Sequence, residues 1–160
     1  MRQAVIFALI LLFSNISPGL AAGGGSDDGA TGASYSAVPK NPELKTARQS
    51  ITRKAFAEAI SELRDVLNKQ PDHADAWNLL GYSARQSGDF RTAEAAYTKA
   101  LEINPKHTQA MEYMGEMYLA MNQPEKAEEL LARLDQLCSF NCIDRDLLKA
   151  AIKRYKDAQS

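Results

Sequence analysis

The sequence predicts an all-α protein, a solenoid of about three helical hairpins closed by one C-terminal capping helix. Three observations predict it. From about Glu43 onward apolar residues recur with the helical period, and no run alternates as a half-buried strand does. The same region repeats itself with a period of about 34 residues: Ala59, Ala93 and Ala127; Leu63, Tyr97 and Leu131; Val66, Ala100 and Leu134. Pro71 and Pro105, and His73 and His107, keep the same interval. A unit this short cannot enclose a core alone, so neighbouring hairpins must stack.

Composition narrows the function. The 160 residues carry 19 Lys+Arg against 20 Asp+Glu, a formal charge of −1. There is no basic excess to hold nucleic acid, and none is expected as a partner. Two Cys and two His exclude a disulfide-dense scaffold and a multi-histidine metal enzyme. No GxSxG, phosphate loop, HExxH or CxxC motif occurs after the leader. No catalytic residue, resident metal or cofactor is therefore expected, and the chain does not read as an enzyme.

Residues 1–21 have the three zones of a secretory signal. Arg2 is the positive start, residues 4–13 (AVIFALILLF) are the apolar run, and Pro18 and Gly19 end any helix beyond it. Gly19 and Ala21 are the small residues of a cleavage site after Ala21. Ten apolar residues fall short of the roughly 20 that span a bilayer. No Cys stands near the cut to take a lipid. The mature chain is thus expected to be periplasmic or secreted, with no stable membrane insertion. Residues 22–42, rich in Gly, Ala and Ser, read as a flexible linker in which only Tyr35 and Val38 could dock.

The repeat domain is expected over 43–159. In the first hairpin (about 40–73) the second helix is well marked by Ala59, Leu63 and Val66, and Pro71 ends it. Its first helix is irregular. Leu44, Ala47 and Ile51 make its best apolar face, one residue out of phase, which predicts a turn one residue short. The second hairpin (74–107) places Trp77, Leu80, Gly81 and Ala84 before the turn and Ala93, Tyr97 and Ala100 after it. Gly88 in Ser87-Gly88-Asp89 suits the left-handed position that closes a helix. Gly81 and Ala93 are small where the two helices cross. The third hairpin (108–141) offers Met111, Met114, Gly115 and Tyr118, the turn Asn122-Gln123-Pro124, then Ala127, Leu131 and Leu134. Pro124 suits a helix start. In the final helix (142–159) Leu147, Leu148, Ala151, Ile152 and Tyr155 are the inward face, and Arg145, Lys149, Lys153 and Lys156 the solvated one.

These residues resemble the tetratricopeptide repeat, whose pattern sets Trp, Leu, Gly, Tyr, Ala, Phe, Ala and Pro at fixed places in each unit. The second hairpin matches with Trp77, Leu80, Gly81, Ala84, Ala93, Tyr97, Ala100 and Pro105. The third loses the proline, with Ser139 in its slot. The resemblance covers about 100 of the 160 residues. It implies a concave groove lined by the first helix of each hairpin. It places Asp75, Asn78, Leu79, Tyr82, Arg85 and Gln86 there, followed by Gln109, Glu112, Tyr113, Glu116, Leu119 and Ala120. The candidate binding residues are Asn78, Tyr82, Arg85, Glu112, Tyr113 and Glu116, a set suited to a protein or peptide ligand. The Lys and Asn clamp with which chaperone-binding members grip a terminal carboxylate is not reproduced. The expected role is a cell-envelope adaptor or scaffold.

Cys138 and Cys142 admit three readings. Asn141 looks like the N-cap of the final helix, which puts Cys142 in its first turn, and a CxxxC disulfide would fasten that cap. Closing so small a loop contributes roughly 2 kcal/mol by the chain-entropy model. A thiolate at a helix start has a lowered pKa, which allows redox chemistry. Soft sulfur ligands suit Cu(I), and Met111, Met114, Met117 and Met121 share one helix. Two of those methionines hold core slots of the repeat, which favours packing. The competing function is a periplasmic thiol-redox or copper-handling protein. The end surface of a three-repeat stack also leaves homo-oligomerisation open.

Overall fold

The computed structural model describes residues 41–160. The expected signal (1–21), nearly all of the expected linker, and Tyr35 and Val38 lie outside the described residues. The described residues form seven α-helices and no strand: α1 (Lys45–Thr52), α2 (Phe56–Lys69), α3 (Ala74–Gln86), α4 (Phe90–Ile103), α5 (Thr108–Ala120), α6 (Pro124–Leu137) and α7 (Ile143–Gln159). Helices α2, α4 and α6 start one repeat period apart, as do α3 and α5. Among these helices none is long and apolar enough to cross a membrane.

The turns explain the regularity. Each hairpin bends at a residue of positive φ: Lys54 at 60°, Gly88 at 80° and Asn122 at 57°. These three keep the same interval, so the backbone holds the left-handed corner whether or not glycine supplies it. The first turn is therefore not one residue short. Helix α1 is in register, with Ala47 in the slot of Gly81 and Ser50 in the slot of Ala84, both buried. Only its start departs. Pro42–Leu44 is a 3-10 turn, so α1 begins at Lys45.

Caps are equally periodic. The Asp89 carboxylate accepts the N–H of Thr92 at 3.0 Å and starts α4. His73 and His107 start α3 and α5: each Nδ1 accepts a backbone N–H, from Ala76 at 3.4 Å and from Ala110 at 3.2 Å. That assigns the proton to Nε2, which donates to Glu43 at 2.6 Å and to Asp75 at 3.0 Å respectively. The two histidines are thus junction pieces, each tying one repeat to the one before.

Two apolar clusters form the core. One gathers Leu44, Ala59, Leu63, Leu67 and Leu80, and the other Tyr97, Met111, Met117, Leu134 and Leu148. Ile60 and Trp77 pack against both. Glycine is required at two crossings. A Cβ on Gly81 would lie 2.6 Å from the Tyr97 ring, and one on Gly115 would lie 2.5 Å from a Leu148 methyl. Overpacking costs about 1–3 kcal/mol, against a helix-propensity gain of about 1 kcal/mol for Gly→Ala. Gly81→Ala is expected to destabilise in a denaturant titration, because a buried ring cannot rotate away. Gly115→Ala is expected to cost less, because the end of a leucine can move. The reverse order would contradict these packing assignments.

The cap differs from expectation in detail. Asn141 adopts φ 47° and Cys142, not Asn141, is the N-cap residue of α7. Leu148, Ala151 and Ile152 are buried, but Leu147 turns outward. Cys138 and Cys142 are joined as a disulfide across the α6–α7 corner, with their Cα atoms 5.6 Å apart.

Candidate functional site

The first helices α3 and α5 pack side by side, and α7 packs on α5. Side chains near equivalent positions of successive repeats therefore become neighbours along one face. Tyr82 and Tyr113 meet with ring centroids 5.0 Å apart. The guanidinium of Arg85 lies over both rings, at 5.5 and 5.7 Å, and pairs with the Glu116 carboxylate at 3.1 Å. Phe56, at the start of α2, meets Tyr82 in a T-shaped arrangement with ring centroids 6.3 Å apart. Four of the six candidate residues thus converge on one cluster. Its cation is held by two aromatic faces and a carboxylate.

The other two candidates lie beneath that face. Asn78 is 1% exposed, and its Nδ2 donates to Gln109 Oε1 at 2.9 Å, tying α3 to α5. Glu112 is 2% exposed. Burial pushes its carboxyl up to about 8, helped by the carboxylates of Glu116 and Asp144 and opposed by Arg85. Their position in the repeat points between adjacent first helices. Neighbour packing covers them, and neither offers surface to a ligand in this structure. Asn78 Oδ1, Glu112 Oε2, the Arg85 Nε and the Tyr97 hydroxyl are buried with no hydrogen-bond partner among the described residues.

Beside the cluster opens a cleft of about 250 Å³, lined by Arg48, Ile51, Thr52, Leu79, Tyr82, Gln109 and Tyr113. Sequence reasoning misses Arg48, Ile51 and Thr52 because the apolar pattern of α1 reads out of phase. Their signal is nevertheless present, since each stands one repeat period before Tyr82, Arg85 or Gln86. The cleft combines an aromatic wall, an aliphatic floor and one exposed cation at the rim. That chemistry suits an apolar side chain followed by an acidic group. It offers no nucleophile and base in contact.

The sulfur residues have other neighbours. Met111 and Met117 are fully buried and Met114 nearly so, all inside the second core cluster. Met111 and Met114 stand one repeat period after Trp77 and Leu80 and fill the same core slots, while Met117 stands where the second hairpin buries Ser83. Among the described residues no group of three His, Cys, Asp or Glu is placed to hold a metal ion.

Tetratricopeptide repeat models match residues 53–89 and 84–137. The chain is 33% identical over 87 residues to tetratricopeptide repeat protein 37 of Xenopus laevis, covering 54% of this chain and 6% of that protein. It is 29% identical over 95 residues to protein FlbA of Caulobacter vibrioides, covering 59% of this chain and 16% of that protein. The chain thus spans only a small part of these relatives. In fold it resembles the first tetratricopeptide repeat domain of Spaghetti (RPAP3) bound to an HSP90 peptide, at TM-score 0.64 and 16% identity over 73% of this chain and 90% of that one. It also resembles a chain of the CopN–Scc3 complex, at TM-score 0.60 and 20% identity over 70% and 66%. The two family models together run from 53 to 137, just over half of the 160 residues, and the hairpins, turns and glycine crossings keep one register, so the chain belongs to the tetratricopeptide repeat family.

Proposed function

We propose that this protein is a non-catalytic adaptor of the cell envelope that holds an extended protein or peptide segment along its first helices. The observation that carries the reading is the cleft between α1, α3 and α5, with Tyr82 and Tyr113 as its wall and Arg48 exposed at its rim. An apolar side chain of the ligand would enter against the tyrosines. An acidic group beside it would meet Arg48, and Gln109 and Thr52 would take backbone polar groups. A related fold bound to a peptide, SRMEEVD, supports the ligand class. The envelope location rests on the three-zone leader at residues 1–21.

The test is in-cell photo-crosslinking from position 109, where Gln109 lines the cleft. One dominant adduct is expected on a chain whose intact mass begins at Ala22. Tyr82→Ala with Arg48→Ala should abolish it. A folded chain that gives no adduct would overturn the adaptor reading. An uncut leader would overturn the location while leaving the groove intact.

A further inference from the structure

We propose that Glu112 is a proton-operated latch beneath the candidate binding face: protonated, it leaves Arg85 paired with Glu116 over the two tyrosine rings, and ionised, it turns the guanidinium inward and strips that cover from the rings. The proposal deepens the adaptor reading, and only its consequence for a ligand rests on that reading.

The latch is a buried cluster with too few cations. Glu112 and Glu116 stand one turn apart on α5. Asp144 comes from the first turn of α7 and is tied to α5 by the Thr108 hydroxyl, which donates to it at 2.5 Å. Against these carboxylates stands one cation, Arg85 of α3, which pairs with Glu116 at 3.1 Å. The other titratable groups that face Glu112 are Tyr97 on α4 and Tyr113 on α5, both phenols held neutral by burial. Three carboxylates against one guanidinium would leave an excess of two negative charges around a side chain that is 2% exposed. Glu116 is partly exposed and Asp144 has its hydroxyl donor, so Glu112 is the member that keeps a proton. Burial, with Glu116 and Asp144 beside it and Arg85 opposing them, holds that proton up to about 8.

The cluster also contains an unmade bond. Arg85 Nε is a buried donor and Glu112 Oε2 a buried acceptor, and neither has a partner among the described residues. A neutral carboxyl bears this at modest cost. An ionised one, shut away from water, does not. Arg85 is the cation in place to answer it with a charge-assisted bond. The same guanidinium covers the binding face, 5.5 Å from the Tyr82 centroid and 5.7 Å from that of Tyr113. Those rings wall the cleft. A guanidinium is rigid and planar, so aiming its Nε edge at Glu112 tilts its plane off the rings. Loss of the proton therefore loosens the wall and adds a negative charge beneath it. An acidic ligand segment is then held more weakly at alkaline pH.

Nuclear magnetic resonance of the purified chain tests this without a ligand. The glutamate carboxyls, the tyrosine rings and the arginine Nε–H groups are followed in one titration that stops at about pH 9, below the ordinary phenol value of about 10. The Glu112 carboxyl, assigned by its loss in Glu112→Gln, is expected to titrate at about 8. The ring signals of Tyr82 and Tyr113 and the Nε–H of Arg85 should shift with the same midpoint. In Glu112→Gln those ring and guanidinium shifts should vanish. Should that variant fail to fold, Arg85→Lys decides. Lysine keeps the charge and lacks the Nε donor, so the carboxyl should still titrate while the ring response is lost. A Glu112 that titrates while the rings and Arg85 stay still overturns the latch, and so does a ring response that survives Glu112→Gln. Rings that respond at no pH overturn it as well. The readout uses the free chain, so a failed latch leaves the adaptor reading standing, and a failed adaptor reading leaves the latch standing.

Discussion

Tyr97→Ala is expected to lower the unfolding free energy by about 3–5 kcal/mol, the usual cost of deleting a fully buried aromatic ring. Tyr97 is 0% exposed, and its ring fills the space that Gly81 leaves open where α3 crosses α4. Removing the ring leaves a cavity that two helices locked by a turn at Gly88 cannot close. Its hydroxyl behaves differently. That oxygen is buried near the Arg85 guanidinium but makes no hydrogen bond of good geometry among the described residues, and burial, opposed by Arg85, raises the phenol well above its ordinary value. Tyr97→Phe removes an unsatisfied polar group and keeps the ring. Equal or greater stability is the expected result for it. A denaturant titration of the two variants reads both effects. If Phe costs as much as Ala, the hydroxyl and not the ring holds the crossing.

Glu112→Gln is expected to remove a pH dependence rather than a contact. The Glu112 carboxyl is raised from 4.5 to about 8. Between those values the native state keeps a proton that the unfolded state has released, so stability falls as pH rises. Each pH unit in that window costs about 1.4 kcal/mol, an upper bound of roughly 3–4 kcal/mol by neutrality. Below pH 4.5 both states are protonated, and above about 8 both are ionised, so the loss is confined between them. Glutamine has no proton to release. The difference in stability between Glu112→Gln and the parent chain should be small at pH 4.5 and grow steadily to pH 8. A difference that stays constant with pH would show that the carboxylate is ionised in the fold. Chemical denaturation at fixed pH steps separates the two.

The fold was legible because its strictest requirements are local and periodic. A close helix crossing requires a small residue, and a turn requires a residue that accepts positive φ. Gly81, Gly115, Gly88, Asn122 and the two prolines announce these at one interval. The first hairpin is harder to read for the same reason. Lys54 at its turn carries no glycine signal, and Ser50 is a polar residue in a buried slot. That hides Arg48, Ile51 and Thr52, and with them one wall of the cleft. At the candidate site, residue type suggests exposure for Asn78 and Glu112. Their burial is set by how closely α3, α5 and α7 pack, which no single helix encodes.

The sequence by itself determined the repeat, its period, the number of hairpins and the crossing points, because each follows from backbone sterics within a few residues. The tertiary structure alone decided which of two adjacent leucines on α7 turns inward. Leu148 enters the core because Gly115 has no side chain beneath it. Leu147, about 100° around the same helix, is left outside, 51% exposed. Side-chain type is the same at both positions, so only the neighbouring helix could distinguish them.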